Sequence, residues 1–213
     1  MPKNLIIIPS FNEKKSLLSI LKKIQHKNNI LIMDDCSTDE TPKYIKNNKR
    51  TIVISNKKNL GYEKNLLKGF KKAINLNFEY AITFDADGEH DFKDIKKILI
   101  YLKKNKTDLL IGNRKKKNRI AESVISYIFK FLFNLEDPLS GFKAYKIKKL
   151  KKVFKEIKDD FYLVDIIKLF LKKKYKVENI KINSKELVNR NPKIGSNFMA
   201  SIKIMKCIKL LLV

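Results

Sequence analysis

Tyr80-Ala81-Ile82-Thr83-Phe84-Asp85-Ala86-Asp87-Gly88-Glu89-His90 is an apolar run that stops abruptly at carboxylates. Short unbroken apolar runs suit strands buried on both faces of a parallel sheet. The same break recurs along the chain. Leu5-Ile6-Ile7-Ile8 stops at Pro9, Ile30-Leu31-Ile32-Met33 at Asp34-Asp35, Thr51-Ile52-Val53-Ile54 at Ser55-Asn56, and Leu109-Leu110-Ile111 at Gly112-Asn113-Arg114. Helical spacing fills the intervals: Leu17, Leu18, Leu21 and Ile24; Leu66, Leu67, Phe70, Ala73 and Ile74; Ile95, Ile98, Leu99 and Leu102. Alternating strands and helices predict a three-layer α/β domain with right-handed crossovers. Ser10, Asn12, Asp34, Asp35, Asp85, Asp87, Asn113 and Arg114 all fall just past a strand's carboxyl end, the edge where open α/β sheets bind ligands.

Asp85 and Asp87, two residues apart, repel one another unless a divalent cation lies between them. Hard oxygen ligands suit Mg2+ or Mn2+, which usually also hold substrate phosphates. Glu89 continues the spacing as a third candidate ligand. The bland alternative is a solvated acidic turn before a helix capped by Asp91. Asp34-Asp35-Cys36-Ser37-Thr38-Asp39-Glu40-Thr41 also follows a strand. Asp39 or Ser37 fits a helix cap there, whereas a carboxylate at Asp34 or Asp35 fits an acceptor for a nucleobase imino group. Pro9-Ser10-Phe11-Asn12-Glu13 is the third such motif, with Asn12 a candidate N-cap.

Taken in order, these motifs with Asn59-Leu60-Gly61 resemble glycosyltransferase family 2. Gly112-Asn113-Arg114, Asp137-Pro138-Leu139-Ser140-Gly141-Phe142-Lys143 and Arg190 through Gly195-Ser196 are similar to the dolichyl-phosphate mannose synthase and polyprenyl-phosphate branch. The resemblance spans residues 5–146 most fully and thins over 147–196. It implies the GT-A fold, a Rossmann-like three-layer α/β/α domain with a mostly parallel central sheet, here over residues 1–197. It implies a nucleoside pocket lined by Pro9, Phe11 and Glu13, with Asp35 or Asp34 on the base. Asp85 would meet the ribose and metal, and Asp87 the metal. Glu89 stands where this branch often has Gln. Arg114, Arg119 and Arg190 would meet phosphates, with Ser196 beside the acceptor. The Arg190–Ser196 stretch has a longer gap than the family's Arg-x-x-Gly-x-Ser-Lys and lacks its final Lys.

The implied reaction is transfer from a UDP- or GDP-linked sugar with inversion at C1, metal and basic side chains stabilising the departing diphosphate. A lipid-phosphate acceptor, the one this branch favours, is already ionised and needs no strong base. Asp137 would then orient basic groups. A glycan hydroxyl would need a base, and Asp137 is the natural one. His90 reads either as a neighbour of the metal or as a loop residue.

The 213 residues carry 48 Lys and Arg against 22 Asp and Glu, a net charge of +26. Lys recurs throughout in company with Asn and Ile, which points first to compositional bias and second to a membrane surface. A nucleic-acid module would explain the charge but not the acidic strand ends, so no nucleic acid is expected. Asp85–Gly88 also matches the Asp-x-Asp-Gly of haloacid-dehalogenase-type phosphatases, but those carry it on an early strand, and here 84 residues precede it. Cys36 and Cys207 show no metal or disulfide spacing. The chain shows neither a signal-peptide pattern nor an apolar run of spanning length, so a cytoplasmic protein is expected, soluble or resting on a membrane face. Residues 120–135 are apolar-rich, 161–171 read as a helix, and 176–182 as a strand. The tail, 198–213, repeats Lys203, Lys206 and Lys209 among Ile and Leu. That pattern fits an interfacial helix and equally a terminal helix packed on the domain.

Overall fold

The computed structural model describes residues 3–45, 48–115, 120–157 and 163–184. Seven strands form one sheet: β1 (Asn4–Ser10), β2 (Asn29–Asp34), β3 (Thr51–Ser55), β4 (Tyr80–Thr83), β5 (Leu109–Asn113), β6 (Lys143–Lys146) and β7 (Val177–Lys181). Their order is β3-β2-β1-β4-β6-β5-β7. All neighbours are parallel except those of β6, which runs antiparallel to both β4 and β5.

The helices are α1 (Lys14–Ile24), α2 (Tyr62–Ile74), α3 (Lys93–Asn105), α4 (Ile120–Phe133), α5 (Ile147–Phe154) and α6 (Leu163–Lys172). Successive strand residues face opposite sides of a sheet, and β1 shows what that does here. Leu5 and Ile7 join a core with Leu66 and Phe70 of α2, Phe129 of α4, Leu150 of α5 and Ile167 of α6. Ile6 and Ile8 join a second core with Leu17 and Leu21 of α1 and Ile95 and Ile98 of α3. Three layers result, and both strand faces are dry, which explains the unbroken apolar runs. At Gly69 a Cβ would lie 2.9 Å from Ile7 Cγ2, so glycine lets α2 settle against β1.

β6 and α5 were not anticipated. β6 reads Lys-Ala-Tyr-Lys, with no apolar run to mark it, and its Lys143 is fully buried. Its reversed course matters, because it starts at the edge where β1, β2, β4 and β5 end. The loop before it, 135–142, is thereby delivered to that edge.

Two capping expectations are corrected. Asn12 does not cap α1: it has φ 55°, Glu13 takes the N-cap position, and Asn12 Oδ1 accepts the Thr38 and Asp39 N–H groups instead. The segment after Asp35 forms only a short 3-10 turn, Thr41–Tyr44. Asp39 accepts the Thr41 N–H at 3.0 Å and, from across the loop, the Lys14 N–H that begins α1 at 2.9 Å. Those bonds hold its carboxyl below the usual range, although burial pulls the other way. Asp91 accepts the Lys93 N–H at the start of α3.

Candidate active site

The β1 and β2 ends meet first. Asp35 N–H donates to Ser10 O at 2.8 Å. The Asp35 carboxylate then accepts Asn56 Nδ2 at 2.8 Å and the Leu60 and Gly61 N–H groups at 2.9 Å each. It anchors the Asn59-Leu60-Gly61 turn. Asp34 is equally buried, but its Oδ2 has only a 3.4 Å bond from Ser37 N–H, and its Oδ1 has no hydrogen-bond partner among the described residues. A buried acceptor of that kind is costly unless a ligand fills it. Pro9 is buried beside these groups, Phe11 is half-buried, and the buried Glu13 accepts the Ser16 hydroxyl.

At the end of β4, Asp85 Oδ1 accepts the Tyr62 hydroxyl at 2.8 Å, and Oδ2 lies 3.3 Å from His90 Nε2. Burial opposes ionisation of Asp85, but the His90 hydrogen bond and charge, with Tyr62 and Arg114, outweigh it and hold the carboxyl below its ordinary value. Asp87 goes the other way. Burial and the charge of Asp85 push it up to about 6. For His90, burial disfavours the charged ring, yet Asp85, Glu89 and Asp87 together raise its pKa. The site is thus short of positive charge where two carboxylates sit side by side, and this fits a divalent cation. Among the described residues no three His, Cys, Asp or Glu converge as a ready-made cage. A cation on Asp85 and Asp87 would leave most of its coordination sphere to other oxygens, as Mg2+ sites with substrate phosphates do.

Glu89, the third expected ligand, is turned toward Arg114, with Oε1 3.3 Å from Nη1. Arg114, just past β5, is buried among three carboxylates. Its Nε and Nη2 bond Asp137 Oδ2 and Oδ1 at 2.8 and 3.1 Å, and Nη2 reaches Glu122 of α4 at 3.2 Å. The Arg114 backbone N–H also donates to Asp137, which is wholly buried. Burial works against the guanidinium charge, but Asp137 first, then Glu89 and Glu122, hold it on.

The Asp137–Gly141 loop closes over β4. Thr83 Oγ1 donates to Gly141 O at 2.6 Å and accepts Lys143 N–H at 3.1 Å. Lys143 Nζ donates to the Ser140 carbonyl. Burial lowers its pKa to about 8 against the pull of Asp137 and Asp85.

Pro9, Glu13, Asp34, Asp35, Asp85, Asp87, Glu89, Arg114 and Asp137 therefore share one sheet edge with Phe11. Arg119, Arg190 and Ser196 lie outside the described residues, as does the tail 198–213. The sequence patterns assign no role to Tyr62, Thr83, Glu122 or Lys143. Tyr62 and Lys143 adjoin recognised motifs, a usable signal; nothing in the sequence marks Glu122 or Thr83.

Residues 5–177 match the family model described as glycosyl transferase family 2. A UDP-N-acetylglucosamine–dolichyl-phosphate N-acetylglucosaminyltransferase of Methanococcus voltae is 27% identical over 231 residues, covering 93% of this chain and 92% of the relative. A dolichyl-phosphate beta-glucosyltransferase of Saccharomyces cerevisiae is 25% identical over 225 residues, covering 85% and 66%. Glucosyl-3-phosphoglycerate synthase of Mycobacterium tuberculosis, solved with Mn2+, UDP-glucose and glycerol 3-phosphate, superposes with a TM-score of 0.69 at 15% identity, over 97% of this chain and 79% of that one. That likeness shows the shared fold.

Proposed function

Because the chain belongs to glycosyl transferase family 2, we propose that this glycosyltransferase moves a sugar, with inversion, from a UDP- or GDP-linked donor to a polyprenyl phosphate. The observation that carries the acceptor class is the Arg114–Asp137 pair. Both oxygens of Asp137 are engaged by one buried guanidinium. A carboxylate with both oxygens on one guanidinium is placed to orient that cation, whereas a sugar hydroxyl needs a base. A phosphate acceptor arrives ionised and needs none. The names of the archaeal and yeast relatives support the same acceptor.

In this reading Asp34 takes the base, since its Oδ1 is the open acceptor, while Asp35 shapes the pocket by holding the 59–61 turn. Pro9, Phe11 and Glu13 line the nucleoside side. Asp85 and Asp87 hold Mg2+ or Mn2+, which supplies charge neutralisation for the departing diphosphate. Tyr62 and His90 fix the Asp85 carboxylate, and Asp137 orients Arg114 toward phosphate. Arg119, Arg190 and Ser196 complete the phosphate contacts. The phosphatase alternative is set aside with the family assignment.

The test is transfer from labelled UDP- and GDP-sugars to polyprenyl phosphate and, in parallel, to free glycans. Metal-dependent product on the lipid is expected. Product on glycans alone would overturn the acceptor reading, and no transfer from any donor would overturn the whole.

A further inference from the structure

Helix α4 carries five of the exposed large apolar side chains on the described surface: Val124, Tyr127, Phe131, Leu132 and Phe133. Only Tyr44 and Ile100 stand elsewhere. Val124, Tyr127 and Phe131 follow one another at spacings of three and four, which is a single helical stripe. Tyr127 is 75% exposed and Phe131 81%. The opposite side, Ile125 and Phe129, is packed in the core. Contiguous exposed apolar surface of this kind marks an interaction site.

We infer that α4 is the surface by which this chain docks on an anionic lipid bilayer, lying in the plane of the interface. Charge decides between occupants. A chain of net charge +26 repels a second copy of itself and is drawn to an anionic surface. Lys130, between Tyr127 and Phe131 on the same helix, is exposed and paired at 3.4 Å with Glu136, placed to meet lipid phosphates while the aromatic rings enter the acyl boundary. A small cavity of about 220 Å³ opens alongside, lined by Ser123, Ser126, Tyr127, Lys130 and Glu136. The Ser126 hydroxyl is buried there without a hydrogen-bond partner among the described residues. Fourteen residues make a helix of about 21 Å, short of the ~30 Å hydrocarbon core. No helix among the described residues is long and apolar enough to cross a membrane.

The helix is also tied to the site at both ends. Glu122 in its first turn bonds Arg114, and Glu136 just beyond its last turn accepts Asn113 Nδ2. Docking of the stripe therefore fixes the height of Arg114 above the bilayer, where a lipid phosphate would be met. That consequence rests on the lipid-phosphate reading above; the docking itself does not.

The chain has no tryptophan, so Phe131→Trp gives a single reporter. With vesicles of phosphatidylcholine and phosphatidylglycerol, its emission should shift to the blue and be quenched by brominated acyl chains. Ile100→Trp, on α3 across the sheet, should do neither. In flotation, the double variant Tyr127→Glu/Phe131→Glu should bind these vesicles about ten-fold or more weakly than wild type. It should keep wild-type turnover on a water-soluble short-chain prenyl phosphate. Emission already blue without lipid would mean that the stripe is covered by another part of the chain. A concentration-dependent shift without lipid would mean a second copy. Either result, or undiminished vesicle binding by the double variant, overturns the inference. Vesicle binding with no transfer to prenyl phosphate would instead overturn the acceptor reading and leave docking intact.

Discussion

The Asp85 carboxylate lies in the space that a side chain at Gly141 would need: a Cβ there would fall 1.7 Å from Asp85 Oδ2 and 2.5 Å from its Cγ. The glycine is required by close approach, and its carbonyl is held in place by Thr83. Gly141→Ala must push Asp85 aside or lift the loop. A displacement of that size at a reacting centre costs about 100-fold in turnover, and overpacking costs about 1–3 kcal/mol of stability. Steady-state transfer and urea unfolding measure the two. Wild-type kcat/KM in this variant would mean that Asp85 works equally well elsewhere.

Asp137→Asn separates an orienting carboxylate from a general base. Breaking a buried, doubly bonded pair with Arg114 should cost about 3–5 kcal/mol, seen as a lower urea midpoint. Removal of a base would reduce kcat and leave stability near wild type. A variant as stable as wild type but inactive would therefore return Asp137 to the proton-transfer role.

With Asp87 as a proposed cation ligand, the cation dependence should be sensitive to pH. Its folded pKa, raised to about 6 by burial and Asp85, lies above the ordinary 3.8. Without cation, this group's contribution to stability is full below 3.8 and is lost as pH rises through about 6. A cation must displace the same proton, so Mn2+ should raise Tm little at about pH 5 and fully above about pH 7. Asp87→Asn should remove most of the shift and abolish transfer while leaving the fold intact. An equal Mn2+ shift at both pH values would contradict the assignment.

The two adjacent aspartates at the end of β2 should behave differently. Asp35→Ala strands the Asn56, Leu60 and Gly61 donors; with about 1–3 kcal/mol for a buried donor left unpaired, a clear loss of stability is expected. Asp34→Asn should leave stability almost unchanged and weaken nucleotide binding about ten-fold, judged from the net worth of a charged hydrogen bond. Calorimetric titration with UDP and GDP, alongside thermal unfolding, distinguishes them. Tight nucleotide binding by Asp34→Asn would move the base contact elsewhere.

The sheet was legible because parallel strands buried on both faces leave apolar runs, and because each run ended in polar residues at the ligand edge. Glu89 and Asp137 were legible as carboxylates near the site, but not as partners of one arginine, since their separation from Arg114 is bridged only by the fold. β6 escaped notice because its Lys143 is buried by a loop closing over it, and a Lys-bearing segment does not look like core. The Asn12 cap was misread for a related reason: helix capping is a local pattern, whereas its oxygen serves the Thr38 turn, 26 residues away. Arg119, Arg190 and Ser196 keep only the support of their motifs.

β6 has one more consequence. The four residues of β6 pair on one side with β4, which leads to Asp85, and three of them pair on the other with β5, which leads to Arg114. Among the described strands, nothing else bridges the β4 half of the sheet to the β5 half. The backbone link between the Asp85 and Arg114 ends is therefore one narrow seam, crossed above it by the Arg114–Glu89 pair. Its amide protons should exchange with solvent only in those openings that also part the Asp85 end of the sheet from the Arg114 end.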